Sequence, residues 1–337
     1  MYNESMRSGL FTAFTLILLL PAVTEAQSLG LLGGENGNDF IVSVSPQYPA
    51  PNSQAALSFT SSIIDLTNAS VTVAVDGKNI YQGSAHPVAV SLGRAGRVVD
   101  VTVTIISGGV SREQSLSIQP QDVVLVAEPI SSAPVLYLGK PFVPAGGDVR
   151  VVAMANVRDA SGKPIAPSAL SYSWTVDDTR IANSSGIGKT AVIVASPFQY
   201  RLRAVSVVVT SQDGTLVGGA ALSLSPKDPS VRVYENDPLL GILFDRAIVS
   251  DYAIRGAEAT LSAAPFSFPT TSGLPLLRWF LNGDAAQTGN SITLRPTGSG
   301  EGTALLSLVA SAGGNTNATM NIPLSFGAAP STNFFGL

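Results

Sequence analysis

The chain of 337 residues has no cysteine and a single histidine, His86. Without thiols there is no disulfide framework, no thiolate nucleophile, no cysteine-bound metal and no acylated lipoprotein terminus. One histidine also excludes any site that needs two. Charge is scarce: Asp, Glu, Lys and Arg supply 12% of the residues, roughly half the usual share. The net charge of −4 offers no Lys/Arg footprint for a nucleic-acid backbone, so nucleic acid is excluded as a partner. Past the amino-terminal region no stretch is long and apolar enough for a membrane helix, which needs about 20 residues.

What is present begins with an address. Arg7 gives a short basic region, Leu10 to Val23 is an apolar run, and Thr24-Glu25-Ala26 sets small residues at the −3 and −1 positions. That layout predicts a secretory signal over residues 1–26, cut near Ala26, and hence a secreted or extracellular cell-surface location. Residues 27–39 are glycine-rich and read as a flexible leader.

Strand signals dominate the rest. Residues 98–106, Val149–Val157, Thr190–Ser196, Leu202–Ser211 and Thr303–Ser311 are rich in β-branched residues, with Gly, Pro, Asn, Asp and Ser between them. A short helical turn is expected near Pro238–Phe244 and no long helix anywhere. A repeat runs through these strands. Val71-Thr72-Val73-Ala74-Val75-Asp76-Gly77, Tyr172-Ser173-Trp174-Thr175-Val176-Asp177-Asp178 and Leu277-Arg278-Trp279-Phe280-Leu281-Asn282-Gly283 align, with Val73, Trp174 and Trp279 in register 101 and 105 residues apart. The glycine turns at Gly108, Gly214 and Gly313 recur at 106 and 99 residues. Two landmarks with one period indicate a tandem array. The reading is all-β: three tandem Ig-like β-sandwich domains over 40–120, 121–227 and 228–326, then a tail over 327–337. Val73, Trp174 and Trp279 are the expected core anchors. Proline clusters at Gln119-Pro120 to Glu128-Pro129 and at Ser225-Pro226 to Asp228-Pro229 mark the junctions, and short proline-bearing linkers predict a semi-rigid rod.

The Trp174-Thr175-Val176-Asp177 pattern resembles PKD-type and bacterial Ig-like domains of surface proteins. Val231–Gly241 and Ser184–Lys189 are similar to uncharacterised secreted Ig-like proteins of small-genome bacteria. The first unit departs from the pattern with Val73 in the tryptophan position. The resemblance implies a bacterial surface protein and brings no catalytic residue with it.

Few constellations carry chemistry. Asn183–Thr190 imitates a phosphate loop, but Asn183 stands where glycine is required and a β-type run follows. His86 could join a serine and an aspartate, although no nucleophile elbow is present. Glu128, Glu235, Asp237, Asp245, Asp251 and Glu258 are the acids from which a glycosidase pair could be drawn. Calcium is the one cofactor the sequence admits, through Asp177, Asp178 and Asp237, with Asp76, Asp122, Glu128, Asp228 and Glu235 as further hard oxygen ligands; otherwise none is expected. Tyr48, Tyr81, Tyr200 and Tyr252 are the aromatics free to stack on sugars. The tail ends Asn333-Phe334-Phe335-Gly336-Leu337, an apolar peptide suited to docking on a partner. Together these features predict a non-enzymatic exported spacer, adhesion or surface-assembly protein, pilus association resting on the resemblance alone. Its partners would be cell-surface proteins or cell-wall polymers. The alternatives are a carbohydrate- or cell-wall-binding array and an extracellular hydrolase.

Overall fold

In the computed structural model, residues 39–327 are described, apart from 136, 298–299 and 314–315. The predicted signal segment, nearly all of the leader and the tail beyond Gly327 lie outside the described residues. Strands and their connections make up the rest, with two short 3₁₀ turns and no α-helix among the described residues.

The first domain contains β1 (Ile41–Ser45), β2 (Gln54–Thr60), β3 (Ser70–Val75), β4 (Lys78–Ser84), β5 (Val88–Ser91), β6 (Val99–Ser107) and β7 (Val110–Ile118). They form two sheets, β1-β2-β5 and β4-β3-β6-β7. Alternation decides which face is inward. Along β6, Val99, Val101, Val103 and Ile105 are buried while Asp100, Thr102 and Thr104 point outward or lie at the margin.

The second domain repeats this arrangement. Its strands are β8 (Asp122–Pro129), β9 (Asp148–Asn156), β10 (Ser171–Val176), β11 (Thr179–Arg180), β12 (Gly186–Ile187), β13 (Ala191–Ala195), β14 (Arg203–Thr210) and β15 (Val217–Leu224). The sheets are β8-β9-β13 and β11-β10-β14-β15, with β12 added to β10. Pro129 ends the first strand, so the proline cluster 119–129 is mostly strand and the connection itself is only Gln119-Pro120-Gln121.

The third domain elaborates the plan with β16 (Ser230–Asp237), β17 (Gly241–Ile248), β18 (Tyr252–Ile254), β19 (Ala259–Phe266), β20 (Leu276–Leu281), β21 (Asp284–Thr288), β22 (Ser291–Leu294), β23 (Gly302–Ala312) and β24 (Thr316–Phe326). The sheets are β17-β16-β19-β22 and β18-β24-β23-β20-β21, and β18 runs parallel to β24. The helical turn expected at Pro238–Phe244 is instead the tip and return strand of a hairpin. The Asp237 carboxylate accepts the amides of Leu239 and Leu240 at 2.8 and 2.9 Å, and Gly241 at φ 76° turns the chain back into β17.

Each sandwich has its own buried core. The first is built on residues between Phe40 and Ile118, the second between Val149 and Leu224, the third between Val231 and Leu324. In each domain the loop after β2, β9 or β19 lies at one end, the entry pole, beside the start of the domain's first strand β1, β8 or β16. The loops after β1, β8 and β16 and after β5, β13 and β22 lie at the opposite end, the exit pole.

Candidate functional surfaces

The three aligned landmarks occupy equivalent places. Val73, Trp174 and Trp279 are fully buried on β3, β10 and β20. Trp174 donates its indole N–H to the Lys189 carbonyl at 2.8 Å, and Trp279 donates to the Gly289 carbonyl at 2.9 Å. The turn residue three positions on is also used identically. Asp76, Asp177 and Asn282 each have φ between 45° and 53°. Their side-chain oxygens accept the amides of Asp100, Ala204 and Leu305 at 3.1, 2.9 and 2.8 Å. Each therefore ties the tip of one hairpin to the adjacent strand. Arg97 and Arg203 close on the second carboxylate oxygen of Asp76 and Asp177.

This geometry bears on the calcium candidates. Asp177 is committed to Arg203 and the Ala204 amide, Asp178 stands exposed beside it, and Asp237 caps its own turn in another domain. Hydrogen bonds from Leu240 and Leu239 hold the Asp237 carboxyl below the usual carboxylate range. Among the described residues no three His, Asp or Glu side chains converge as a metal cluster.

The other candidates are dispersed. His86 is exposed, its Nδ1 2.9 Å from the Ser84 hydroxyl, two residues away on the same edge. No acidic side chain is bonded to that ring among the described residues. Glu128 pairs with Arg150 and Glu258 with Arg295. Asp245 lies exposed on β17, and Asp251 borders an open depression of about 460 Å³ on the third domain. Asn183–Thr190 forms a 3₁₀ turn, the short strand β12 and the approach to β13. Of the tyrosines, Tyr81 bonds back to the Ser84 carbonyl and Tyr48 packs on a domain junction. Tyr252 is half-buried beside Glu235; burial first, then the Glu235 charge, pushes its phenol up to about 12. Only Tyr200 of the four presents its ring to solvent, at 92% exposure, and it does so from a left-handed backbone at φ 62°. Its neighbours Phe198 and Leu202 are exposed too. A bulky side chain in that backbone region is strained, and such strain persists only where the surroundings impose it.

The best-built surfaces in the molecule are the two junctions, which the sequence did not single out by residue. At the first, the Tyr48 ring lies on Gly219 so closely that a Cβ there would sit 2.4 Å from Tyr48 Cδ2. Gly96, at φ +82°, approaches the second domain's loop so that an added Cβ would meet the Asp159 carbonyl oxygen at 2.3 Å. Gln121 holds that loop from the linker: its Oε1 accepts the Arg158 amide at 2.8 Å and its Nε2 donates to the Arg158 carbonyl at 2.9 Å.

The second junction is a short ladder between domains. The Ser132 amide donates to the Phe268 carbonyl at 2.8 Å, the Ser267 amide to the Ser132 carbonyl at 3.1 Å, and the Thr270 amide to the Ile130 carbonyl at 3.1 Å. The Phe268 amide donates to Ser132 Oγ at 3.1 Å, and Ser267 Oγ donates to the Lys227 carbonyl at 2.7 Å. Ser132, Ser267 and Phe268 are all buried. Around this ladder Tyr137 meets Phe266 edge-on, ring centroids 5.4 Å apart. The signal in the sequence would have been serines in the short segments after strands; nothing in their spacing says that they face another domain.

No family profile matches the chain, and no curated protein matches it. Among solved structures it is similar to the central fibronectin-III array of RIM-binding protein, at 10% identity over 84% of this chain and 96% of that one, TM-score 0.27. It is similar as well to three N-terminal domains of the highly immunogenic outer capsid protein of bacteriophage RB49, at 14% identity, 86% and 100% coverage and TM-score 0.22. A third is Bacteroides ovatus SGBP-B in complex with a mixed-linkage heptasaccharide, at 12% identity, 86% and 71% coverage and TM-score 0.21. At these values the likenesses lend nothing to function.

Proposed function

We propose that this chain is an exported, non-enzymatic spacer of the bacterial cell surface, a stiff rod that carries adhesion or surface-assembly contacts. The observation that supports the reading is the construction of the two junctions. Each domain grips the next through loops at opposite poles, by backbone hydrogen bonds and buried serines in one case and by glycine-permitted close packing in the other. Elements joined this way hold their separation, which is what a spacer requires. Sandwiches joined pole to pole also present their outward faces and loops one after another, available to protein partners or wall polymers. The amino-terminal signal layout and the resemblance to secreted Ig-like proteins support export.

Fractionation of cells producing the chain with a carboxy-terminal tag tests this. The expected product begins after Ala26, lies outside the cytoplasm and is cleaved by protease added to intact cells. An unprocessed chain retained in the cytoplasm would overturn the reading. Retention of the purified chain on an insoluble polysaccharide would replace the spacer with a glycan-binding array.

A further inference from the structure

Both junctions obey one rule: the loop after the strand that pairs with a domain's first strand in antiparallel, β9 in the second domain and β19 in the third, docks on the exit pole of the domain before it. The first domain carries the same loop, Ser61 to Ala69, at its own entry pole. Ser61, the residue directly after β2, donates its hydroxyl to the Asp39 carbonyl just ahead of β1. Ser267, directly after β19, does the same to the Lys227 carbonyl ahead of β16. The two entry poles are thus built alike. In the third domain the second residue after Ser267, Pro269, pairs with Ser131 of the second domain across the junction. In the first domain the residue at the same offset from Ser61 is Ile63, which is 70% exposed.

The exit pole of the third domain is the counterpart. β16 starts at the second junction and runs away from it, since Ser230 pairs with Phe266 and Glu235 with Leu261. The hairpin tip after Asp237 therefore lies at the far end, near the end of β24. Leu239 and Leu240 sit on that tip, 94% and 76% exposed. The Asp237 carboxylate fixes the backbone beneath them, so they are held outward with little further ordering needed on contact.

We infer that the chain associates head to tail with other copies of itself. The Ser61–Ala69 loop of one copy docks on the exit pole of the third domain of the next, Ile63 against Leu239 and Leu240, extending the internal junction rule between molecules. Such a contact joins two different surfaces, so a pair of copies still has one free end of each kind and growth does not stop at the dimer. The contact is small, so association is weak and concentration-dependent.

Sedimentation of the full mature chain from about 10 μM to about 1 mM, the range of weak associations, tests this. The expected weight-average mass rises continuously without a plateau at the dimer. Ile63→Asp alone, and Leu239→Asp with Leu240→Asp alone, each stay monomeric. An equimolar mixture of the two variants forms one-to-one dimers and goes no further, because each retains one intact end. All three side chains are exposed, so melting and circular dichroism remain those of the parent, which separates lost association from lost folding. A parent that is monomeric throughout overturns the inference, and this is also the result if residues ahead of Asp39 cover Ile63. A plateau at the dimer that ignores Ile63→Asp overturns it too. So does a rise that survives the leucine substitutions and disappears on removal of residues 328–337, which would give the contact to the tail.

Discussion

Trp174 and Trp279 do the same job in two domains, filling the space between sheets and satisfying one carbonyl each in the segment that leads to β13 or β22. Replacing either by alanine removes a fully buried indole and leaves that carbonyl unpaired, a cost of about 3–5 kcal/mol. Calorimetry should show the domain that bears the substitution melting earlier, while the first domain, which uses Val73, keeps its transition. Tyr252 gives a pH dependence of the opposite sense from acid unfolding. Its folded-state value is about 12, against about 10 in an unfolded chain. The fold favours the neutral phenol, so its contribution is present below about pH 10 and is lost as pH rises towards 12. Chemical denaturation between pH 9 and 12, about the span of the two values, should show a stability decline that Tyr252→Phe reduces. An unchanged slope in the variant would mean that another group carries it.

At the scale of elements, loops do what linkers were expected to do. The prolines near each junction predicted stiffness through restricted backbone; Pro129 belongs to β8, and the closest approaches across the first junction are those of Tyr48 to Gly219 and of Gly96 to Asp159. Gly219→Val should expel the Tyr48 ring, since its Cβ would lie 2.4 Å from that ring. The side chain it would displace belongs to the first domain, so the second domain should retain its core. Distance measurements between labels on the first and second domains should broaden, with domain melting little changed. A distribution as narrow as the parent's would show that Tyr48 does not hold the junction.

For the whole molecule, the second junction couples neighbours that have separate cores. Ser132 and Ser267 are buried and bonded to each other's loops, so Ser132→Ala with Ser267→Ala strands several polar groups away from water. Each unsatisfied group costs about 1–3 kcal/mol. In the parent the second and third domains should unfold in one transition; in the double variant they should separate into two, and small-angle scattering should report a larger spread of shapes. Two transitions already present in the parent would show that the ladder does not couple them.

Much of this was legible in the residues. Period-two alternation in segments such as Val99–Ile106 gave strands and their inward faces, because a strand buried on one side must alternate. The Val-Asp-Gly, Val-Asp-Asp and Leu-Asn-Gly turns marked the repeat, because a tight hairpin demands residues that tolerate positive φ. Local rules also explain what was missed at Pro238–Phe244, where a side-chain cap and Gly241 outweighed a helical turn. Contacts between poles were not legible, since Ser132 meets Phe268 across 136 positions and no periodicity encodes which distant loop a serine will face. Alternation and turn chemistry act between neighbours in the chain and so belong to the sequence. The gripping of one domain by the next depends on where completed sandwiches place their loops, and only the tertiary structure decides that.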